Sequence, residues 1–308
     1  MPRTARKKEE SGIYHVMARS ISEILLFKTE DDKKKYLMII KEYQKIFNFV
    51  IYAYCIMDNH VHLIIYSNGA DISKIMHCIN FKYAMYFNKK YDRHGHLFQD
   101  RFKSKVVNDD RYLIALSAYI HNNPVDVNGY ENNPESYRYS SLGLYLGLRK
   151  DEFNIVNKKF ILDIFDEDKN KAKRRYFEFI TKSTASNLED VENMNIEFDN
   201  DKSEYRSEKT ILIRNYKIED IIQYVVDKFA IKKSLIYIKC QRKTTKIKGA
   251  LILLLRNLCN MSCKDICSTL GNITSSRVSK LCSIGVEFIS NDDKYSDIVD
   301  GFLKCYSH

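Results

Sequence analysis

Several features that would assign this chain to other protein classes are missing from its sequence. No stretch reaches the roughly 18 or more uncharged apolar residues that a membrane-spanning helix needs. The first eight residues contain no apolar segment of the kind found in signal peptides. The eight cysteines have no regular spacing, which argues against a disulfide scaffold. We therefore expect a cytoplasmic protein without a membrane anchor.

Charge is distributed unevenly along the 308 residues, whose net formal charge is +10. Residues 1–150 carry 23 Lys and Arg against 16 Asp and Glu, whereas residues 151–210 carry 11 against 15. Residues 211–308 are basic again, with 16 against 9. Basic surfaces bind polyanions, and nucleic acid is the first candidate because neutralising its phosphates drives association. The same charge could also serve solubility alone.

The spacing of apolar residues predicts three regions. Residues 1–150 contain strands and amphipathic helices in the order β, α, β-hairpin, α, β, α, which favours an α+β fold with helices packed on one side of an antiparallel sheet. Residues 151–210 form a charged, partly helical connector. Residues 211–308 are helical, and a short helix, a turn at Gly271 and a second helix from Thr274 have the proportions of a helix-turn-helix.

The most informative short motif is Met-Asp-Asn-His-Val-His at residues 57–62. Runs rich in β-branched and aromatic residues flank the turn-like Asp58 and Asn59, which predicts a hairpin. Because side chains alternate along a strand, His60 and His62 point to the same face, where two imidazoles can share a divalent metal. A histidine pair of this kind is more often ordinary polar surface, so the motif alone leaves both interpretations open.

A helix that we expect to end near Tyr119, before Pro124, supplies candidates for the rest of a phosphodiester-cleaving site. Mg²⁺ or Mn²⁺ held by two histidines and an oxygen keeps positions open for a phosphate oxygen and water. Tyr119 and Asn123 are four residues apart on one helix face, so one could attack while the other binds the metal. Tyrosine suits transesterification because a phosphotyrosine conserves the phosphodiester bond. A core role for Tyr119 and competition from Tyr112 stay open on this argument.

Five ordered sequence blocks carry a resemblance to a known family. The blocks are Gly12-Ile-Tyr-His-Val-Met-Ala-Arg19, Ala53-Tyr-Cys-Ile-Met-Asp-Asn-His-Val-His-Leu63, Gly95-His-Leu-Phe-Gln-Asp-Arg-Phe-Lys-Ser104, Tyr119-Ile-His-Asn-Asn-Pro-Val125 and Tyr137-Arg-Tyr-Ser-Ser141. With them the chain resembles the single-tyrosine HUH transposases, in particular the branch of REP-associated tyrosine transposases. The resemblance extends from residue 12 to about residue 146.

This resemblance implies a ferredoxin-like nuclease domain that cuts and joins single-stranded DNA. It implies that His60 and His62 hold a divalent metal, Mg²⁺ or Mn²⁺, and that Tyr119 forms a covalent 5′-phosphotyrosine. Asn123 falls where the family has a third metal ligand. The implied substrate is single-stranded or hairpin DNA at element ends or palindromic repeats, and a homodimer is compatible with the family.

Basic residues near the sheet are further candidates for DNA contacts. The candidates in the amino-terminal region are Arg19, Arg101, Lys103 and Lys105. Phe98 and Phe102 are interleaved with the last three, which suits backbone contacts and base stacking on a single strand. Alternation along a strand would divide these residues between two faces, so we expect some of the aromatics to be core.

The carboxy-terminal region resembles, more loosely, the helix-turn-helix of the replication initiator DnaA. There Arg242 and Lys243 precede the helices and could meet phosphates. The residues that could approach bases are Ser275, Ser276, Arg277 and Lys280. The alternative is a helical accessory or dimerisation domain.

The sequence thus predicts a transposase that nicks and rejoins single-stranded DNA by metal-assisted transesterification. The alternative from another class is a catalytically silent DNA-binding regulator that works through its helix-turn-helix. The presence of His60, His62 and Tyr119 together favours the enzyme.

Overall fold

The structure is a computed structural model that describes residues 12–21, 24–182, 214, 216–238, 244–271 and 273–306. These residues separate into two compact units. The first comprises most of residues 12–182, and the second consists mainly of residues from 214 onward. Within the described ranges, no helix is long and apolar enough to cross a membrane.

The first unit is built on a four-stranded antiparallel sheet with the order β2-β3-β1-β4. The strands are β1 (Ile13–Arg19), β2 (Val50–Ile56), β3 (His60–Tyr66) and β4 (Lys103–Val107). The helices are α1 (Glu30–Phe47), α2 (Ile72–Lys90), α3 (Asp110–Asn122), α4 (Leu142–Leu146), α5 (Lys159–Phe165) and α6 (Lys169–Lys182). Since β1, α1, β2, β3, α2 and β4 follow one another with this strand order, the sheet is ferredoxin-like, and the predicted α+β class is confirmed.

One face of the sheet forms the hydrophobic core of this unit. The residues of β1 and β3 on this face are buried, and they are Tyr14, Val16, Ala18, Val61, Leu63 and Ile65. Helix α1 connects β1 to β2, and α2 connects β3 to β4. The two strands of each connection run in the same direction with another strand between them, and right-handed crossovers place both helices over this face. The apolar residues buried along α2 are Ile72, Ile75, Met76, Ile79, Tyr83 and Phe87.

Helix α3 covers the opposite face, which corrects the expectation that the helices pack on one side only. It contacts β2, β3 and β4, and the ring of Tyr119 packs against that of His62. Because α1 and α2 already occupy the other face, the apolar side of α3, which includes Leu116 and Ile120, can be buried only here. This second layer brings a helix against the histidine-bearing face of the sheet.

The end of α3 also differs from the prediction that Pro124 stops the helix near Tyr119. The helix continues to Asn122 and passes directly into a 3₁₀ turn, Asn123–Asp126. Asn123 has helical dihedral angles, φ −49° and ψ −36°. Pro124 fits in the first turn of the 3₁₀ segment because its missing N–H is not required there. Asn123 therefore keeps a helical position one turn after Tyr119.

The unit that holds the sheet continues past residue 150, the boundary predicted from the sequence. Helix α5 packs on α6, and α6 contacts α3 and α4. Ala172, Tyr176 and Ile180 are buried at helical spacing along α6. The start of the predicted connector is therefore helical, as expected, and α6 forms part of the support of α3. The remaining predicted connector, residues 183–210, lies outside the described residues.

The second unit is helical, as predicted. Its helices are α7 (Ile218–Lys228), α8 (Ser234–Tyr237), α9 (Thr245–Leu258), α10 (Cys263–Leu270), α11 (Ser275–Asn291) and α12 (Ile298–Tyr306). Ser262 caps α10 in a reciprocal capping box with Asp265, and Thr274 caps α11. Helices α9 and α11 approach closely at two glycines, since a Cβ on Gly249 would lie 2.7 Å from the Leu281 carbonyl oxygen and 2.8 Å from the Gly285 nitrogen.

Candidate active site

The histidine pair lies on β3, on the face of the sheet that α3 covers. The ring centroids of His60 and His62 are 4.9 Å apart and nearly perpendicular. His62 is buried, whereas His60 is partly exposed at the start of the strand. The pairing of β1 with β3 sets Arg19 opposite His60 and Met17 opposite His62. The predicted hairpin is therefore present, and both imidazoles lie on one face of it.

The ring of His60 is hydrogen-bonded in a way that fixes its proton. Nδ1 lies 2.7 Å from Oδ1 of Asn59, and because an amide oxygen can only accept, Nδ1 is the donor. In the neutral ring Nε2 then carries a lone pair. This nitrogen lies 3.4 Å from Oδ1 of Asn123.

Helix α3 orients the amide of Asn123. Its Nδ2 donates to the carbonyl oxygen of Tyr119 at 2.8 Å, which leaves Oδ1 directed at His60. Two acceptor atoms, His60 Nε2 and Asn123 Oδ1, consequently face each other. A cation bound by both atoms, or a proton on Nε2, would stabilise this arrangement.

The pKa values of the two histidines favour the neutral rings. Burial lowers the pKa of His60, and Arg19 lowers it further, although the contact with Asn123 acts in the opposite direction. Burial, followed by the neighbouring His60 and His15, lowers the pKa of His62 well below its usual value. Neutral imidazoles are the form that binds metals, so at neutral pH both rings are in the protonation state that a metal ligand requires.

His15, on β1, contacts His62 and was not predicted from the sequence to belong to the site. Its Nε2 lies 3.0 Å from Nδ1 of His62, and the two rings stack with centroids 5.3 Å apart. Burial, followed by Lys105, lowers the pKa of His15 to about 3, so this ring is also neutral. When His62 Nδ1 donates to His15, the lone pair of His62 is on Nε2. His15 thus orients one of the two candidate ligands.

Tyr119 is the tyrosine that α3 brings to the histidine pair. Its ring lies 5.6 Å from that of His62, edge to face at 88°, and its side chain is partly exposed. Tyr112, the competing candidate, lies in the first turn of α3, where its backbone N–H donates to the cap residue Asp109. Seven residues of helix separate the two tyrosines by about 10 Å along the axis. Of the two candidate tyrosines, Tyr119 is therefore the one that lies beside the histidine pair.

A buried hydrogen-bond network holds α3 beside the sheet. His121 Nδ1 lies 2.7 Å from the hydroxyl of Tyr176 on α6, and Nε2 lies 2.7 Å from Oγ of Ser141. The Tyr176 hydroxyl also contacts Ser117 Oγ at 3.1 Å, while Ser141 Oγ accepts from the backbone of Tyr54 at 2.9 Å. This network joins α3 to α6 and β2. Sequence analysis missed Tyr176 because it lies in the predicted connector.

The predicted DNA-contacting residues near the sheet have different positions. Lys103 pairs with Met17 and Lys105 with His15 across β1 and β4, so both lysines lie on the histidine face. Arg19 and Arg101 are exposed, Arg19 beside His60 and Arg101 in the loop before β4. Their aromatic neighbour Phe102 is buried and belongs to the core, as we expected for part of this set.

The predicted DNA-reading residues of the second unit lie in the first turns of α11. Ser275, Ser276 and Lys280 are exposed and Arg277 is partly exposed. Val278 and Leu281, on the other side of the helix, are buried. These four residues therefore share the accessible side of α11. Arg242 and Lys243, the predicted phosphate contacts, lie outside the described residues.

The candidate ligand set is two imidazole nitrogens and one amide oxygen. Across the described ranges, this region included, no three His, Cys, Asp or Glu side chains are grouped as a metal site. Nitrogen and oxygen donors of this kind suit Mn²⁺, and Mg²⁺ when phosphate oxygens and water complete its shell. The residues present therefore fit a divalent cation.

Comparisons with known proteins find a similarity for this region. The sequence profile described as "Transposase IS200 like" matches residues 8–123. A solved structure described as "Structure of the REP associates tyrosine transposase bound to a REP hairpin" shares 16% identity, with 51% of this chain and 98% of that chain covered and a TM-score of 0.40. No functionally curated protein matches the chain. Over residues 8–123, the chain is therefore similar to the IS200-like transposases.

Proposed function

We propose that the first unit is a transposase domain that nicks and rejoins single-stranded DNA through a covalent bond to Tyr119. The observation that carries the proposal is the pair of facing acceptors, His60 Nε2 and Asn123 Oδ1, 3.4 Å apart. They lie beside His62, whose ring contacts that of Tyr119. A cation-binding set and an oxygen nucleophile are thus brought together on one face of the sheet.

The cation would be held by His60, His62 and Asn123. When bound, Mg²⁺ or Mn²⁺ supplies a positive charge that withdraws electron density from a phosphate and orients it for in-line attack. His15 keeps the ring of His62 in place through their 3.0 Å hydrogen bond. Asn59 does the same for His60.

The proposed reaction exchanges one phosphodiester for another. The Tyr119 oxygen forms a bond to phosphorus as the bond to the 3′ oxygen of the departing strand breaks. The phenol loses a proton and the departing strand ends as a 3′ hydroxyl, so charge is balanced. A 3′ hydroxyl of another DNA end then attacks the phosphotyrosine in the reverse sense, which rejoins DNA without an external energy source.

Charges around the site support a nucleic-acid substrate. Lys103 and Lys105 share the histidine face, and Arg19 is exposed beside His60. Cations at these positions would contact phosphates on either side of the reacting one. From the sequence resemblance we also propose hairpin or single-stranded DNA at element ends or palindromic repeats as the substrate and a homodimer as the assembly. Action in the cytoplasm is proposed from the hydropathy of the sequence.

The experiment is to look for a covalent protein–DNA adduct. The full chain is incubated with end-labelled hairpin oligonucleotides and Mg²⁺ or Mn²⁺, then separated on a denaturing gel. We expect the wild type and Tyr112→Phe to form the adduct and Tyr119→Phe to form none while retaining DNA affinity. An adduct that persists in Tyr119→Phe would overturn the assignment of the nucleophile.

A second candidate function is a DNA-binding regulator that uses the second unit. Its support is the exposed group Ser275, Ser276 and Lys280 on the first turns of α11. The same gel separates the two functions. DNA binding that depends on Lys280, without an adduct in either metal, would favour the regulator.

A further inference from the structure

A groove of about 860 Å³ lies between α2 and the loop that precedes β4. Its volume is in the range of ligand-binding sites. Helix α2 contributes one wall, from Ser73 to Asn88, and the loop contributes the other, from Gly95 to Phe102. The candidate active site does not use any α2 residue, so this groove is a separate feature of the first unit.

The α2 wall exposes large apolar side chains to solvent. Phe81 is 60% exposed and Met85, one turn later, is 59% exposed. The ring of His77, one turn before Phe81, stacks on it with centroids 5.9 Å apart and planes 17° from parallel. Three flat or polarisable side chains thus follow one another along the helix. Such a row provides stacking surfaces for planar ligands.

The rest of the lining mixes apolar and polar side chains, and its formal charges are positive on balance. Lys74 and Arg101 contribute positive charges against one carboxylate, that of Asp100. Gln99 adds an exposed amide, and the amide of Asn88 donates to the carbonyl oxygen of Gly95. Stacking surfaces, amides and a positive balance together match an unpaired nucleotide, which has a flat base, hydrogen-bonding edges and an anionic backbone.

The loop wall of the groove adjoins β1, the strand that pairs with the histidine-bearing strand. The loop wall is joined to the end of β1, where Gln99 N donates to Arg19 O at 3.0 Å and Ile21 N donates to Leu97 O at 3.2 Å. A smaller cavity lined by Met17, Arg19 and residues 99–103 shares four residues of the loop wall with the groove. Because Arg19 pairs with His60, a DNA strand that passed from His60 across the end of β1 would reach the groove.

We infer that the groove between α2 and residues 95–102 binds unpaired bases of the DNA strand that reacts at Tyr119. The inference deepens the proposed function and rests on it, since the strand is the proposed substrate. Phe81 and His77 stack on bases, Met85 packs beside them, and Arg101 and Lys74 contact phosphates. The occupant is an unpaired segment next to the cleaved bond, because a base in a duplex has no free face to stack.

The experiment compares two methionine variants and one phenylalanine variant of the full chain. Affinity for a fully unpaired oligonucleotide of mixed sequence is measured by fluorescence anisotropy in EDTA, which prevents any metal-dependent cleavage. We expect Phe81→Ala to weaken binding by roughly 5- to 100-fold, the loss of one stacked base. Met85→Ala should weaken it less. Met38→Ala, which removes a comparably exposed methionine from α1 (53% exposed), should leave it unchanged.

A second arm uses an oligonucleotide annealed to its complement. Phe81→Ala should bind this duplex as the wild type does, because its bases are already stacked. Equal loss on duplex and unpaired DNA would mean general destabilisation and would overturn the inference.

The outcomes separate the groove from the proposed function. If Phe81→Ala binds unpaired DNA as tightly as the wild type while the Tyr119 adduct forms, the groove does not bind unpaired bases and the strand-transfer function stands. If Phe81→Ala loses affinity but the wild type forms no adduct, the strand-transfer function fails and the groove stands as a DNA site. A wild type without affinity for unpaired DNA overturns both the groove assignment and the strand-transfer function.

Sedimentation of the wild type and Phe81→Ala is the last experiment. A dimer that Phe81→Ala dissociates without changing DNA affinity would make the groove a contact between copies of the chain and would overturn the inference.

Discussion

His121 Nδ1 lies 2.7 Å from the hydroxyl of Tyr176, so the helix that carries Tyr119 is tied to α6. The same hydroxyl reaches Ser117 Oγ, one turn before His121 on α3. Burial lowers the pKa of His121 to about 3, followed by the effect of Arg149, so the ring stays neutral and both nitrogens serve the network. The position of the proposed nucleophile is thus set by a residue more than fifty positions later in the chain.

Removing this hydroxyl tests whether Tyr176 positions Tyr119. Tyr176→Phe keeps the ring but removes the hydroxyl that contacts His121 Nδ1 and Ser117 Oγ. The loss of these hydrogen bonds should lower the free energy of unfolding by about 1–2 kcal/mol. We expect the adduct rate at saturating DNA to fall roughly tenfold, since small displacements of a nucleophile are costly, while the affinity for DNA is retained. Tyr237→Phe, at an exposed tyrosine, is the control. A Tyr176→Phe enzyme with the wild-type rate and lowered thermal stability would limit Tyr176 to a structural role.

His15 offers a test of the proposed cation site that leaves the ligands in place. His15→Ala removes the group that holds Nδ1 of His62 at 3.0 Å, so the His62 ring can rotate. Loss of such a supporting residue typically lowers metal affinity by about 10- to 100-fold. We expect the Mn²⁺ concentration for half-maximal adduct formation to rise by this factor, with the rate restored at high Mn²⁺. Chelation with EDTA should abolish the adduct in both proteins, and an unchanged Mn²⁺ requirement would argue against His62 as a ligand.

Local patterns in the sequence predicted much of the site. The hairpin turn at Asp58 and Asn59, the alternation that pairs His60 with His62, and the helical spacing of Tyr119 and Asn123 all depend on neighbouring residues. Such patterns are determined by side-chain period and turn preference, so they can be interpreted without the fold.

The parts of the site that were not predicted from the sequence depend on packing between residues far apart in the chain. His15 meets His62 only because β1 and β3 pair in a particular register, and several registers would bury the same apolar residues. Tyr176 reaches His121 because α6 packs on α3, although its surroundings in the sequence are highly charged. The position of α3 on the second face follows from α1 and α2 occupying the first. None of these relationships has a signal within a short window of sequence.

The carboxylate of Asp32 predicts how the stability of the first unit depends on pH. Asp32 is fully buried at the start of α1, where it accepts hydrogen bonds from Lys90, Tyr91 and Tyr86 and from the backbone of Thr29. Burial raises the pKa of Asp32, but the bonds from Lys90 and the other donors outweigh it, so its pKa is lowered from 3.8 overall.

The stabilisation by Asp32 is therefore present above its unfolded pKa, near 3.8, and is lost as the pH falls through the lower folded value. Asp32→Asn should cost about 2 kcal/mol at pH 7, because a charged acceptor of several donors is removed. The difference in unfolding free energy between wild type and variant should narrow below about pH 4. Urea unfolding at a series of pH values checks this, and a difference that stays constant into acid would exclude the ionised carboxylate as its source.

The glycine contact between α9 and α11 gives a prediction for the second unit. A Cβ on Gly249 would lie 2.7 Å from the carbonyl oxygen of Leu281, which is backbone and cannot rotate away. Gly249→Ala must therefore push the two helices apart, and overpacking of this kind costs about 1–3 kcal/mol. The gain in helix propensity from glycine to alanine, about 1 kcal/mol, offsets only part of this cost.

Hydrogen exchange of the full-chain Gly249→Ala variant should be faster than that of the wild type in α9 and α11, with α2 and β3 unchanged. Ser283→Ala, at an exposed position of α11, should leave both helices protected, and equal protection in Gly249→Ala would mean that the helices do not depend on this contact.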